Sequence, residues 1–233
     1  SGITDRLLET VARQHRVLPY VDMPIQHASD AVLARMRRPE RQRTIRDRVA
    51  KFREAVPGVA IRTTCIVGFP GETDEQFDEL LQFVEEARFE RVGAFTYSPQ
   101  DGTRAAQYQD DVHEAVKRER LERLTELQRA ITAERYESRV GQTALAMVDR
   151  SDPDTGISQA RLPWQADDID GITQIDEALP PGTIAEVAVE EVVDDYDFQA
   201  SVIRVSLPVG VPERRRVSRE LPVRQSTIGS YGR

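Results

Sequence analysis

Residues 60 to 72, Ala-Ile-Arg-Thr-Thr-Cys-Ile-Val-Gly-Phe-Pro-Gly-Glu, leave the chain few ways to fold. A short apolar, β-branched run is cut off by Gly68-Phe69-Pro70-Gly71. Glu72, Thr73, Asp74 and Glu75 then open a helical pattern. Such a run reads as a strand buried on both faces, as in a parallel sheet. Thr73 and Gln76 stand at capping-box spacing, so a helix is expected to start there. Strand, tight glycine turn and helix make one βα unit, and in such folds ligands sit where the strands end. The loop is expected to mark the functional rim of a first domain.

The flanking sequence extends the alternation. Leu7, Leu8 and Val11 predict an amphipathic helix over Thr4 to His15. Val17 to Ile25 reads as a strand whose two prolines belong at its ends or at a bulge. Ser29 and Asp30 offer an N-cap before Val32, Leu33 and Met36. A further helix is expected from Thr44 to Val56, closed by Pro57-Gly58. Beyond the central strand, a helix over Asp74 to Ala87 and a strand over Val92 to Tyr97 follow. The order α, β, α, β, α, β predicts parallel strands with crossover helices. Three strands cannot close a barrel of eight. The unit is either a small open sheet or the back half of a larger barrel.

After residue 111 the texture changes. Val116, Leu121, Leu124, Leu127 and Ile131 form one apolar stripe on a charged helix, read as Val112 to Val140, with residues 112–138 as the connection between two domains. Thr143 to Val148, Gly171 to Ile175, Thr183 to Val192 and Ala200 to Leu207 are short β-rich segments between turn residues. They predict a small β-barrel of OB-like size in residues 139–207. Residues 208–233, with Arg214, Arg215 and Arg216 and little apolar content, are expected to be a disordered basic tail. One cysteine excludes a disulfide framework and suits a reducing cytoplasm. No apolar stretch approaches a membrane span, so a cytoplasmic location is expected. The opening, Ser1-Gly2-Ile3, lacks an initiating Met and is read as a fragment or a processed product.

Three strings carry a resemblance: Tyr20-Val21-Asp22-Met23-Pro24-Ile25-Gln26-His27-Ala28-Ser29-Asp30, Ile66-Val67-Gly68-Phe69-Pro70-Gly71-Glu72-Thr73, and Phe95-Thr96-Tyr97-Ser98-Pro99. They resemble the radical S-adenosylmethionine methylthiotransferases, and the β-rich segment is similar to the TRAM domain that ends those enzymes. The resemblance implies an α/β fold, the C-terminal half of a radical SAM, TIM-like β/α barrel over residues 1–111, followed by a small all-β TRAM barrel. One branch of the family thiomethylates an adenosine of tRNA, the other an aspartate of a small-subunit ribosomal protein. Gln26-His27-Ala28-Ser29, Met36-Arg37-Arg38-Pro39 and Glu85 to Gly93 resemble the ribosomal-protein branch. The tRNA enzyme and a non-catalytic substrate-binding fragment remain the alternatives.

The resemblance implies two kinds of cofactor, S-adenosylmethionine and 4Fe-4S clusters. The family's CxxxCxxC loop is absent from this chain, and cluster ligation needs several thiolates. Cys65 stands alone in an apolar strand and reads as a core filler. The chain alone is therefore expected to be inactive, and no residue is assigned a catalytic or metal-binding role. Its cofactor-binding candidates are Gln26, Arg62, Thr64, Ile66, Gly68, Tyr97 and Ser98. Gln26 or Arg62 would reach the carboxylate or ribose of S-adenosylmethionine, and Ile66 with Val67-Gly68 would support the adenine. Turn formation alone would also explain Gly68 and Gly71. His27 and His113 are assigned no catalytic role.

Charge points to the partner. Between Arg139 and Ser206 stand 4 arginines and 14 acidic residues, a balance of −10. Phosphate binding relies on Lys and Arg, so tRNA is the less favoured partner. A basic small-subunit ribosomal protein is expected, steered by complementary charge. Trp164 is the candidate apolar anchor of that contact, with Asp167, Asp168 and Asp170 as its acidic surroundings.

Overall fold

The computed structural model describes residues 3–14, 16–109, 111–167 and 169–206. The expected tail 208–233 and Asp168 lie outside the described residues. Among the described residues, no helix is long and apolar enough to cross a membrane.

Helix α1, Asp5–Arg13, begins at Thr4, whose hydroxyl accepts the Leu7 amide, and buries Leu8. Strand β1 is only Tyr20–Asp22. The longer strand expected over Val17 to Ile25 is trimmed by its prolines, since Pro24 has no amide to give the ladder. The chain nevertheless keeps alongside its neighbour: Met23 donates to Arg62, Gln26 to Thr64, and Ile66 back to Gln26. Helices α2, Asp30–Arg35, and α3, Gln42–Ala55, follow. Ser29 stands at the α2 N-cap, but its side chain makes no capping bond. Next come β2, Ala60–Val67, α4, Asp74–Ala87, with the expected Thr73/Gln76 capping box, and β3, Arg91–Thr96.

The three strands form a parallel sheet in the order β1-β2-β3. Along β2 burial alternates: Ile61, Thr63, Cys65 and Val67 are buried while Arg62, Thr64 and Ile66 are half-buried. The first set packs under α3 and α4 with Phe52, Phe77, Leu80 and Phe83 in one core. The expectation of burial on both faces was half right: helices cover one face only. At β3 the uncovered side leaves Phe95 57% exposed.

Helix α5, Glu114–Glu137, crosses from sheet to barrel. His113 caps it, its Nδ1 accepting the Ala115 amide. Toward its far end, Gln128 donates to the Phe89 carbonyl and Thr132 to that of Glu90, while Arg135 pairs with the Glu90 carboxylate. A closed barrel follows: β4, Thr143–Asp152, β5, Ile157–Arg161, β6, Thr173–Ile175, β7, Ile184–Val193, and β8, Asp197–Ser206, in the order β4-β5-β6-β8-β7. All pairs are antiparallel except β6 with β8. The sequence reading missed β5. Gly171 is obligatory at its turn: φ is +83° and an added Cβ would lie 2.2 Å from the Tyr196 carbonyl oxygen.

Two residues assigned to a partner surface belong to the interior. Trp164 is 8% exposed, packs edge-on to Phe198 at 6.2 Å, and is roofed by the Arg139 guanidinium at 4.5 Å. Its apolar neighbours pull it into the barrel core, so it is no exposed anchor. Asp170 is fully buried. It accepts the Tyr20 hydroxyl at 2.5 Å, Arg91 Nε at 3.2 Å and the Ala166 amide at 3.0 Å, with Arg62 Nε at 4.0 Å. A buried carboxylate needs such partners, and the three side chains among them come from the three strands of the sheet. Asp170 is a clasp between the two units. Burial, then the bond to Asp170, pushes the Tyr20 hydroxyl above its ordinary range. Asp167 alone of the described trio is exposed, and it pairs with Arg161 at 3.3 Å.

Candidate active site cleft

The strands present their carboxyl ends to a cleft of about 560 Å³. That is within the range of small-molecule sites. Gln26, Thr64 and Ile66 line its floor, Phe95, Tyr97 and Ser98 one wall, and Phe69, Tyr108 and Arg35 to Arg38 the other sides. Thr64 and Ile66 are there because alternation along β2 aims them away from the helices. Gln26 bridges to Cys65 with φ +69°, a left-handed conformation rare outside glycine. Holding such a residue against two β2 hydrogen bonds stores backbone strain where the cleft opens.

The aromatic side is built on the Gly-Phe-Pro-Gly loop. Phe69 meets Tyr97 edge-on at 5.1 Å and Tyr108 at 6.2 Å. Tyr97 lies under Lys117, whose Nζ is 5.6 Å from the ring centre. Glu72 anchors the loop from beneath. Its carboxylate accepts the Phe69 amide at 3.2 Å and Arg120 at 2.9 Å, and stands 3.5 Å from His27 Nε2, with both His27 and Glu72 buried. His27 Nδ1 in turn accepts the Ser29 amide. Burial pushes the Glu72 carboxyl up, but His27, the loop backbone and Arg120 outweigh it and hold it below the ordinary carboxylate range. Arg35 ties the loop to α2 by donating to the Gly71 carbonyl and Gln76, each at 2.8 Å.

Of the residues expected to bind cofactor, the cleft brings together Gln26, Thr64, Ile66, Tyr97 and Ser98. It omits two. Arg62 lies at the opposite end of β2, paired with Asp22 at 2.5 Å and facing Asp170, roughly 13 Å of strand away from Ile66. The sequence reading put the site at the end of the strand but counted Arg62 with that rim, although it stands near the start of β2 on the face of Thr64. Gly68 sits behind the cleft wall: φ is +71° and an added Cβ would be 2.4 Å from Lys117 Cγ. Its smallness serves the turn and the approach of α5.

The sequence reading missed Phe95, Arg104 and Tyr108 at the cleft and Glu72 beneath it. Phe95 alternates with Gly93 along β3 and could have been found. Residues 100–109 carry no periodic signal. Cys65 is fully buried, and burial pushes its thiol up to about 12. The residues present therefore do not fit an iron–sulfur cluster, which takes several thiolates. Among the described residues, no group of three or more His, Cys, Asp or Glu side chains could hold a metal ion.

Residues 1–84 match the radical SAM superfamily. Proteins named ribosomal protein uS12 methylthiotransferase RimO are similar along most of the chain. The one from Acinetobacter baylyi is 41% identical over 205 residues, covering 86% of this chain and 45% of that protein. One from Anaeromyxobacter sp. is 39% identical over 222 residues, covering 94% and 46%. The Opitutus terrae protein is 41% identical over 218 residues, covering 93% and 44%. The chain thus spans a little under half the length of the curated relatives it matches. Among solved structures, coproporphyrinogen III oxidase (HemN) from Escherichia coli, titled a radical SAM enzyme, is similar at 14% identity with a TM-score of 0.42, covering 80% of this chain and 44% of that one, a likeness too slight to bear on the site. On these matches, residues 1–84 carry a radical SAM superfamily domain, and most of the chain is similar to proteins named as methylthiotransferases.

Proposed function

We propose that the chain is the substrate-recognising and S-adenosylmethionine-binding part of a methylthiotransferase acting on an aspartate of a small-subunit ribosomal protein, with residues 1–111 as the rear of its radical SAM barrel and residues 139–207 as its TRAM domain. The observation that carries this reading is the cleft at the carboxyl ends of parallel strands, in a chain about 40% identical to proteins named for uS12. Its shape and lining suit a nucleoside joined to a polar tail. Ile66 and the edge of Tyr97 offer apolar faces for an adenine, Tyr97 and Ser98 offer backbone groups at its rim, and Gln26 and Thr64 offer polar groups for the ribose or methionine portion. When bound with its cluster, S-adenosylmethionine supplies the family's radical chemistry. This chain's residues do not supply the cluster's thiolates, and no step is routed through it. The chain's own contribution is to hold and orient: the Glu72 anchor holds Phe69, and Tyr97 packs edge-on against it.

The tRNA enzyme is the competing reading, and the charge of −10 across Arg139 to Ser206 argues against it. The test is an anaerobic assay of the full-length gene product with uS12 and with unmodified tRNA. Mass gain on uS12 supports the proposal; mass gain on tRNA alone refutes it. Calorimetric titration of this chain with S-adenosylmethionine tests the cleft separately, and binding undiminished by Ile66→Asp would move the cofactor elsewhere.

A further inference from the structure

The chain has 40 acidic against 32 basic residues, yet the cleft is lined by four arginines, Arg35, Arg37, Arg38 and Arg104, and by no carboxylate. Two of the four are committed to the fold. Arg35 donates to Gly71 and Gln76, and Arg38 donates to the Pro24 carbonyl. Arg37 and Arg104 have side chains without an ion pair or hydrogen bond among the described residues, and both are exposed at the mouth.

Arg37 also occupies a position that favours another residue. It follows the end of α2 with φ +59°, and the Arg38 amide bonds back to the Leu33 carbonyl while the Arg37 amide bonds to that of Ala34. This is a helix-ending turn in which glycine is preferred, because a side chain is strained there. Nothing in the fold repays an arginine at that place. What the position does accomplish is to set a guanidinium at the cleft edge.

We propose that Arg37 and Arg104 form an anion subsite that receives the carboxylate of the acidic side chain presented by a protein substrate. The inference rests on the protein-substrate reading above and adds which part of the substrate the cleft reads. Guanidinium binds carboxylate by paired, charge-assisted hydrogen bonds. A polyanion is disfavoured by the chain's net charge of −8, which repels it as a whole. A single carboxylate embedded in a basic segment meets no such repulsion.

The experiment uses two synthetic Lys/Arg-rich peptides, one carrying a central aspartate and its twin carrying asparagine, titrated by fluorescence anisotropy into the chain and into an Arg37→Asn, Arg104→Gln variant. Asparagine tolerates the left-handed turn, and circular dichroism confirms the fold. The expected result is that the aspartate peptide binds about tenfold more tightly to the native chain. In the variant that preference should fall within about twofold, with asparagine-peptide binding unchanged. Equal binding of the two peptides to the native chain overturns the subsite and leaves the protein-substrate reading standing. So does a preference that survives in the variant. If neither peptide binds, the subsite fails; if an anticodon stem-loop RNA then binds through these arginines, the protein-substrate reading fails with it.

Discussion

The parallel sheet and the five-stranded barrel solve the same problem with opposite economies. The barrel pairs every strand on both sides, so it has no edge and encloses its own core around Val148, Val187 and Phe198. The sheet covers one face with helices and leaves β1 and β3 as edges, each paired with β2 alone. Its other face carries Thr64, Ile66 and the exposed Phe95, and there the cleft forms. Closure gives a unit stability of its own; incompleteness gives it a surface on which to bind. The two are joined where the barrel's Asp170 is seated among Tyr20, Arg62 and Arg91 of the sheet.

The strongest way to break this comparison is to remove the joint. Asp170→Ala removes the buried acceptor shared by Tyr20, Arg91 and the Ala166 amide and should cost about 3–5 kcal/mol in denaturant unfolding of the whole chain. A loss under about 1 kcal/mol would mean that the units stand independently. Hydrogen exchange sharpens the contrast directly. Amides of β4, β7 and β8 should exchange roughly a hundredfold more slowly than those of β1 and β3, which fray at unpaired edges. The reverse order would refute the view of the barrel as the self-sufficient unit.

Smaller effects should stay within the sheet. Gly68→Ala forces a Cβ against Lys117 at a positive φ and should cost about 2 kcal/mol. Exchange in the barrel should not change. Glu72→Gln should cost about 1.5 kcal/mol near neutrality, because a charged acceptor of the Arg120 bond is lost. The pH dependence has a definite sign. The native Glu72 carboxyl is held low, so its contribution is present above the ordinary unfolded value near 4.3 and disappears as pH falls through the native value. The cost of Glu72→Gln should therefore shrink in acid; a cost that is flat from pH 7 to pH 3 would remove Glu72 from its anchoring role.

What could be read in advance followed local chemistry. The run of β-branched residues, the glycine turn and the Thr73/Gln76 box placed β2 and α4 almost to the residue, because strand and cap preferences act over a few positions. The strand expected over Val17 to Ile25 was found but is only Tyr20–Asp22. What could not be read depended on distant neighbours. Trp164 and Asp170 look like a surface patch in sequence, yet one is roofed by Arg139 and the other is held by residues some 80 to 150 positions away. Arg62 shared the right face with Thr64 and Ile66 but the wrong end. β5 was hidden because Ile157–Arg161 has little apolar content and takes its strand form from pairing with β4 and β6.

The pairing of β8 has a meaning in time as well as in space. This strand is the only one that touches both β6, in parallel, and β7, in a hairpin. A ribosome making the chain delivers β4 through β7 first, and until β8 emerges β6 has one partner and β7 has no hairpin mate. Parallel closure is slow because its loop must be gathered before any bond rewards it. The ring therefore locks late, as an arch locks at its keystone. For that interval β6 and β7 are open templates, and any delay near residue 200 prolongs the period in which a nascent chain can pair with the wrong strand.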